Sequence, residues 1–179
     1  GSGYMDFYED KIFIVSSRGT LAFRNDFNLE YENFQQIKNN INYFIGFDKL
    51  FFHKECNYKS AYRAGGRIVQ LDDNHIILSN GDYGLEYLAQ DKKSINGKLI
   101  KININNGKYE IVSMGHRNPQ GLYFDKENNF IIATEHGPKG GDEINLIEIN
   151  KTVNDEIPNY GWAISSAGEH YEGDKKLYE

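Results

Sequence analysis

The chain of 179 residues carries 20 Lys and Arg against 26 Asp and Glu, a net charge of −6 with a pI near 5.4. That balance offers no attraction to phosphate backbones, which disfavours general nucleic-acid binding, and the longest apolar runs fall far short of the ~20 residues of a membrane helix. A single cysteine, Cys56, closes no internal disulfide, while 39% apolar residues with 14% aromatics suffice for a packed core.

Gly1-Ser2-Gly3 reads as a cloning scar with no signal peptide behind it, so the expected domain is 4–179 and any export signal has been removed. From there the pattern is β almost throughout: short Ile, Val, Phe and Tyr runs alternate with Asn, Asp and Gly clusters. A first hairpin is expected from Met5 to Ser17, turning at Glu9-Asp10. Helical signal is poor, with one turn offered by Phe34 to Asn40 and ended by Asn39-Asn40. A second hairpin runs from Arg67 to Ser79 through Asp72-Asp73-Asn74. The third spans Lys98 to Val112 and turns at Asn105-Asn106-Gly107, where Asn-Gly favours a type I′ turn. The fourth spans Leu122 to Thr134 and turns between Asp125 and Asn129.

Repetition is more informative than any single hairpin. Phe13-Ile14-Val15-Ser16, Ile76-Ile77-Leu78-Ser79 and Ile131-Ile132-Ala133-Thr134 each follow an acidic or Asn-containing turn and end in a hydroxyl residue, at spacings of 63 and 55 residues. A second element follows in the last two units, at Gly97 to Ile102 and at Asp142 to Ile147. This pattern predicts an all-β chain of about three four-stranded propeller blades; a β-sandwich is the alternative. Three blades do not close a ring, so apolar blade faces would stay exposed. The chain is expected to be part of a longer protein or to pair head-to-tail as a homodimer, unless the aromatic-rich segment from Tyr43 to Phe52 folds over the open faces.

Three loops concentrate polar function. In Arg63-Ala64-Gly65-Gly66-Arg67, with Asn80-Gly81-Asp82 nearby in the pattern, paired glycines permit close backbone approach to a ligand, or simply a turn into a strand. In Gly115-His116-Arg117-Asn118-Pro119-Gln120-Gly121, Pro119 extends Asn118 and Arg117 offers a planar fork of donors. In Glu135-His136-Gly137-Pro138-Lys139-Gly140-Gly141-Asp142-Glu143, acids and carbonyls suit a hard cation such as Ca2+, and Pro138 brings no competing N–H. Zinc is less attractive, because His116, His136 and His170 lack ligand spacing. A P-loop is excluded by its missing Gly-x-x-x-x-Gly-Lys-Ser/Thr.

Gly115 to Tyr123, Thr134-Glu135-His136-Gly137-Pro138, Gly141 to Ile147 and Asn159-Tyr160-Gly161-Trp162 together resemble the signature blocks of the glucose/sorbosone dehydrogenase family. Gly65-Gly66-Arg67, Gly81-Asp82, Ala89-Gln90-Asp91 and Gly97-Lys98 continue the likeness in order. The resemblance implies half of a six-bladed propeller that holds pyrroloquinoline quinone (PQQ) and Ca2+ over its axis, oxidises aldose sugars at C1 to lactones, and works in the periplasm or outside the cell. Carried over by motif, Arg117 and Asn118 would face the quinone, Asp82 would assist the catalytic base, and Asp142 would line the pocket. Gly137 and Pro138 carbonyls would hold Ca2+, while Glu143 with the Tyr160 backbone resembles a separate structural Ca2+ site, with an insertion from Lys151 to Ile157 lengthening its spacing. One departure matters: the family's base is a His two residues before the Gly-Gly pair, and here that position is Arg63, which stays protonated. His53 and His116 are the available substitutes. The chain therefore reads either as an incomplete sugar dehydrogenase domain or as a binding module that kept the scaffold and lost the base.

Overall fold

The computed structural model describes residues 4–8, 11–16, 20–26, 49–54, 63–149 and 156–171, with side chains in the last two ranges. Eleven strands are described: β1 (Tyr4–Tyr8), β2 (Lys11–Ser16), β3 (Thr20–Asp26), β4 (Lys49–Lys54), β5 (Gly65–Asp72), β6 (His75–Asn80), β7 (Lys98–Asn103), β8 (Tyr109–Met114), β9 (Pro119–Asp125), β10 (Phe130–Glu135) and β11 (Glu143–Glu148). One short helix, α1 (Glu86–Ala89), lies between β6 and β7. The strands form three antiparallel sheets in chain order, β1-β2-β3-β4, β5-β6-β7-β8 and β9-β10-β11.

The repeated segments have a common meaning. Phe13 to Ser16, Ile76 to Ser79 and Ile131 to Thr134 all lie in the second strand of their sheets, and Lys98 to Ile102 and Glu143 to Ile147 lie in third strands. All four expected hairpins form. The third sheet has three strands among the described residues, and Asn159 forms an isolated parallel bridge with Met114 at the edge of the second sheet. One expectation is corrected. The turn after β7 is not type I′: Gly107 takes φ 71°, but Asn106 is not among the residues at positive φ. The Asn103 side chain accepts the Asn105 and Asn106 amides, at 2.9 and 3.2 Å, and bends a longer loop than two residues. Of the segment from Tyr43 to Phe52, residues 49–52 belong to β4 and pair with β3, so that part is sheet and not a cover. The scar, the Glu9-Asp10 turn, the Phe34 to Asn40 turn and 151–155 of the insertion lie outside the described residues.

Strand β6 is apolar on both faces because layers flank it on both sides. Ile76 and Leu78 join Ile68, Ile100 and Ile102 in one buried cluster, whereas Ile77 points the other way with Leu99 against Ile131, Ala133 and Ile147 of the third sheet. Each such side chain contributes about 2 kcal/mol on burial. The third sheet then leaves its far face open. Tyr123, Ile144 and Leu146 share that face by register and are 62%, 78% and 53% exposed.

One polar group is set deep in the second sheet. Lys98 is fully buried, and its ammonium donates to the carbonyls of Leu88, Ala89 and Asn96 at 2.9, 2.9 and 2.7 Å. Burial pushes its pKa down to about 8, which leaves the ammonium charged at neutral pH. It ties α1 and the loop after it to the start of β7.

Candidate functional site

The three polar loops meet at one end of the second and third sheets. β5 begins where β6 ends, with Gly65 opposite Asn80, and β9, β10 and β11 bring Pro119, Glu135 and Glu143 together. Antiparallel pairing makes this convergence automatic. Loops far apart in sequence open on the same edge.

Arg63 and Asp82 form the first part of the site. Arg63 holds φ at 60°, an uncommon conformation for a side-chain-bearing residue. Its Nη1 lies 2.8 Å from Glu86 Oε1 and 3.4 Å from Asp82 Oδ2. Asp82 is fully buried, and Trp162 Nε1–H donates to its Oδ2 at 2.7 Å while the Gly84 amide donates to its Oδ1 at 2.8 Å. Burial raises the Asp82 pKa from 3.8 to about 6 against the opposing pull of Gly84, Arg63 and Trp162, with Glu86 adding to the rise. The folded chain therefore holds a proton between about pH 4 and 6 that the unfolded chain has released. This group's stabilising contribution is full below the unfolded pKa and is lost as pH rises through the folded one. Asp82→Asn removes the titration. Denaturant unfolding from pH 4 to 6.5 is expected to show wild-type stability falling relative to the variant by on the order of 2 kcal/mol; parallel pH curves would refute it.

The loop from Gly115 to Pro119 forms the second part. Arg117 Nη1 donates to the His136 carbonyl at 3.0 Å, and its guanidinium stands 5.2 Å from the Trp162 ring and 5.8 Å from that of Tyr171. Asn118 is turned toward the second sheet, where its Oδ1 accepts the Gly65 amide at 3.1 Å. His116 is not available as a base. It is fully buried, its Nδ1 lies 2.8 Å from Glu135 Oε1 and its Nε2 lies 2.7 Å from Ser113 Oγ, so both ring nitrogens are engaged. His53 sits on β4, among residues whose side chains are not described.

The third part is the loop between β10 and β11. Arg117, His136, Gly137, Pro138, Lys139 and Asp142 are among the residues lining an open cavity of about 610 Å³. Asp142 Oδ1 accepts the Gly137 amide at 3.1 Å, and the Pro138 carbonyl accepts the Gly141 amide at 2.8 Å. That carbonyl thus already serves a local donor, contrary to the expectation of little competition. Glu143 lines an adjoining cavity of about 360 Å³ with Glu135, His136 and Asp142. Burial raises the Glu143 pKa, and the Glu135 charge adds to the rise. Tyr160 stacks on His116 and donates its hydroxyl to the Leu146 carbonyl at 2.7 Å. Glu143 and Tyr160 are linked through Asn145, Glu135 and His116. Among the described residues no group of three or more His, Cys, Asp or Glu side chains converges on one point.

Sequence reading missed Glu86 and the roles of Trp162 and Glu135. Glu135 had a usable signal, since the inward alternation of Ile131 and Ala133 extends to it. Glu86 had none.

A family model described as glucose/sorbosone dehydrogenase matches residues 34–178. The chain belongs to that family. It is 33% identical to aldose sugar dehydrogenase YliI of Escherichia coli (strain K12), across 62% of this chain and 32% of that protein. It is 32% identical to quinoprotein glucose dehydrogenase B of Acinetobacter calcoaceticus, across 54% of this chain and 25% of that one. The PQQ-bound form of aldose sugar dehydrogenase from Streptomyces coelicolor superposes with a TM-score of 0.61 at 24% identity, covering 87% of this chain and 43% of that one. This glucose/sorbosone dehydrogenase chain thus spans about a third or less of these curated relatives and under half of that structure. Its three antiparallel sheets are consecutive β-propeller blades.

Proposed function

We propose that the chain supplies one half of a PQQ- and Ca2+-dependent aldose dehydrogenase site and does not by itself oxidise sugars. The observation that carries the second clause is the Arg63 guanidinium, which is paired with Glu86 and Asp82 and accepts no proton, at the position where the family resemblance calls for a histidine base. The donor set fits the cofactor. PQQ is a tricarboxylate, and the cavity presents the cations of Arg117 and Lys139 beside backbone carbonyls suited to a hard metal. Arg117 and Lys139 would hold carboxylates, the Gly137 and Pro138 carbonyls with Asp142 would face Ca2+, and Asn118 would brace the loop that carries Arg117. When bound, PQQ supplies the two-electron oxidation of the sugar C1 hydroxyl. Proton removal would fall to the protein, where Asp82 would assist a base, and Arg63 at that position cannot serve as one. Glu143 with the Tyr160 backbone would form a separate structural Ca2+ site. A periplasmic or extracellular location accompanies this reading; no helix among the described residues is long and apolar enough to cross a membrane.

Titration of PQQ with Ca2+, an aldose and a redox dye tests it. Quinone binding without dye reduction is expected, together with a higher Tm in millimolar Ca2+. Dye reduction would overturn the inactive status, and absence of quinone binding would remove the cofactor. A non-catalytic binding or assembly module is the second reading, favoured by the Arg63–Glu86 pair.

The open face with Tyr123, Ile144 and Leu146 supports one further element of this proposal, a second copy completing the ring as a homodimer. Light scattering is expected to give twice the chain mass of 20.6 kDa. A species of 20.6 kDa at every concentration ends that idea.

A further inference from the structure

We infer that Glu135 is a positioning residue for the Arg117–Asn118 loop, its buried carboxylate fixing where that loop's backbone stands. The inference rests on the reading that Arg117 and Asn118 serve the cofactor side of the cavity. Glu135 ends β10 and is 6% exposed. Its Oε2 accepts two consecutive backbone amides, Arg117 N–H at 2.7 Å and Asn118 N–H at 3.3 Å. Its Oε1 accepts from His116 Nδ1 at 2.8 Å and from Asn145 Nδ2 at 2.8 Å. Adjacent amides converge on one anionic oxygen only in a restricted backbone conformation, so the carboxylate selects the shape of the loop.

The other ties of the loop show what is being held. The Arg117 carbonyl accepts the Asp82 amide at 2.9 Å, just past β6, and Asn118 Oδ1 accepts the Gly65 amide at 3.1 Å, at the start of β5. On the third sheet the Glu135 carboxylate and the His136 amide, which donates to the Asn118 carbonyl at 3.2 Å, provide the anchor. With its backbone donor spent on Glu135, Arg117 keeps its guanidinium on the cavity side, against Trp162. The order Ser113–His116–Glu135 is that of a nucleophile relay, but Ser113 and His116 are both 0% exposed, so no substrate reaches the hydroxyl. This network holds; it does not attack.

Glutamine at 135 keeps the shape but sets an NH2 group against one pair of donors. Amide hydrogen exchange on the full chain reads the consequence. In the wild type, Arg117 and Asn118 amides are expected to be protected like those of β10. In Glu135→Gln they should exchange about tenfold faster or more and shift upfield, while the Ile76 and Ile100 amides stay unchanged. PQQ, followed by quenching of the sole tryptophan, Trp162, should bind about tenfold more weakly to the variant. Fast wild-type exchange at Arg117 and Asn118, which needs no variant to fold, overturns the inference. So does a variant whose two amides match the wild type. If the wild type binds no PQQ, the cofactor reading falls, and the amide exchange alone decides whether Glu135 holds the loop.

Discussion

Lys98→Met is expected to destabilise the chain by about 3 kcal/mol, lowering Tm by about 6–12 °C for a domain of this size. Methionine fills a comparable volume and suits the apolar walls around β7, so the loss is one of hydrogen bonds rather than packing. Three carbonyls, those of Leu88, Ala89 and Asn96, lose a charged donor. The Leu88 and Ala89 carbonyls also accept the Asp91 and Gly115 amides, at 3.2 and 3.1 Å, which keeps the loss below that of three fully orphaned groups. Because Ala89 thereby touches Gly115, the effect reaches the site: α1, the start of β7 and the Arg117 loop loosen together. Urea unfolding monitored by circular dichroism measures it, and a change under 1 kcal/mol would show that the ammonium is not the staple.

Gly81→Ala is expected to cost at least as much, about 3 kcal/mol or more, for a different reason. A Cβ at position 81 would lie 1.7 Å from the Arg63 carbonyl oxygen and 2.5 Å from its carbon. Backbone cannot swing aside as a side-chain tip does, so the segment carrying Arg63 ahead of β5 must retreat. The Gly81 amide bond to Ala64 and the Tyr83 amide bond to Arg63, at 3.1 and 3.2 Å, would break with it. Arg63 then leaves Asp82, whose Oδ2 also accepts the Trp162 indole N–H, so Trp162 emission should shift to the red as the indole wets. Unchanged stability and an unchanged emission maximum would refute the close approach.

The sheets were legible because their causes are local. Apolar runs such as Ile131-Ile132-Ala133 and turn residues such as Asp125, whose Oδ1 accepts the Glu127 and Asn128 amides, act over a few residues. The Asn106-Gly107 pair misled because loop length overrides dipeptide preference once Asn103 caps the turn. The bridge between Asn159 and Met114 of β8 had no local signal, because it joins residues far apart in the sequence.

For the site, sequence by itself determined which residues bear charge, which loops carry them, and that Arg63, ahead of the Gly65-Gly66 pair, accepts no proton. Those facts follow from side-chain chemistry and from motif order, and neither needs coordinates. Tertiary structure decided which groups meet. Trp162 reaches Asp82 across 80 residues, Arg63 reaches Glu86 across 23, and Glu135 reaches the Arg117 amide across 18. It also decided that His116 is locked between Ser113 and Glu135, and that Lys98 spends its charge inside the second sheet. Hydrogen bonds between such distant residues depend on how one blade edge faces the next. That relation is set by packing of Ile77 and Leu99 on Ile131, Ala133 and Ile147, which no local pattern encodes.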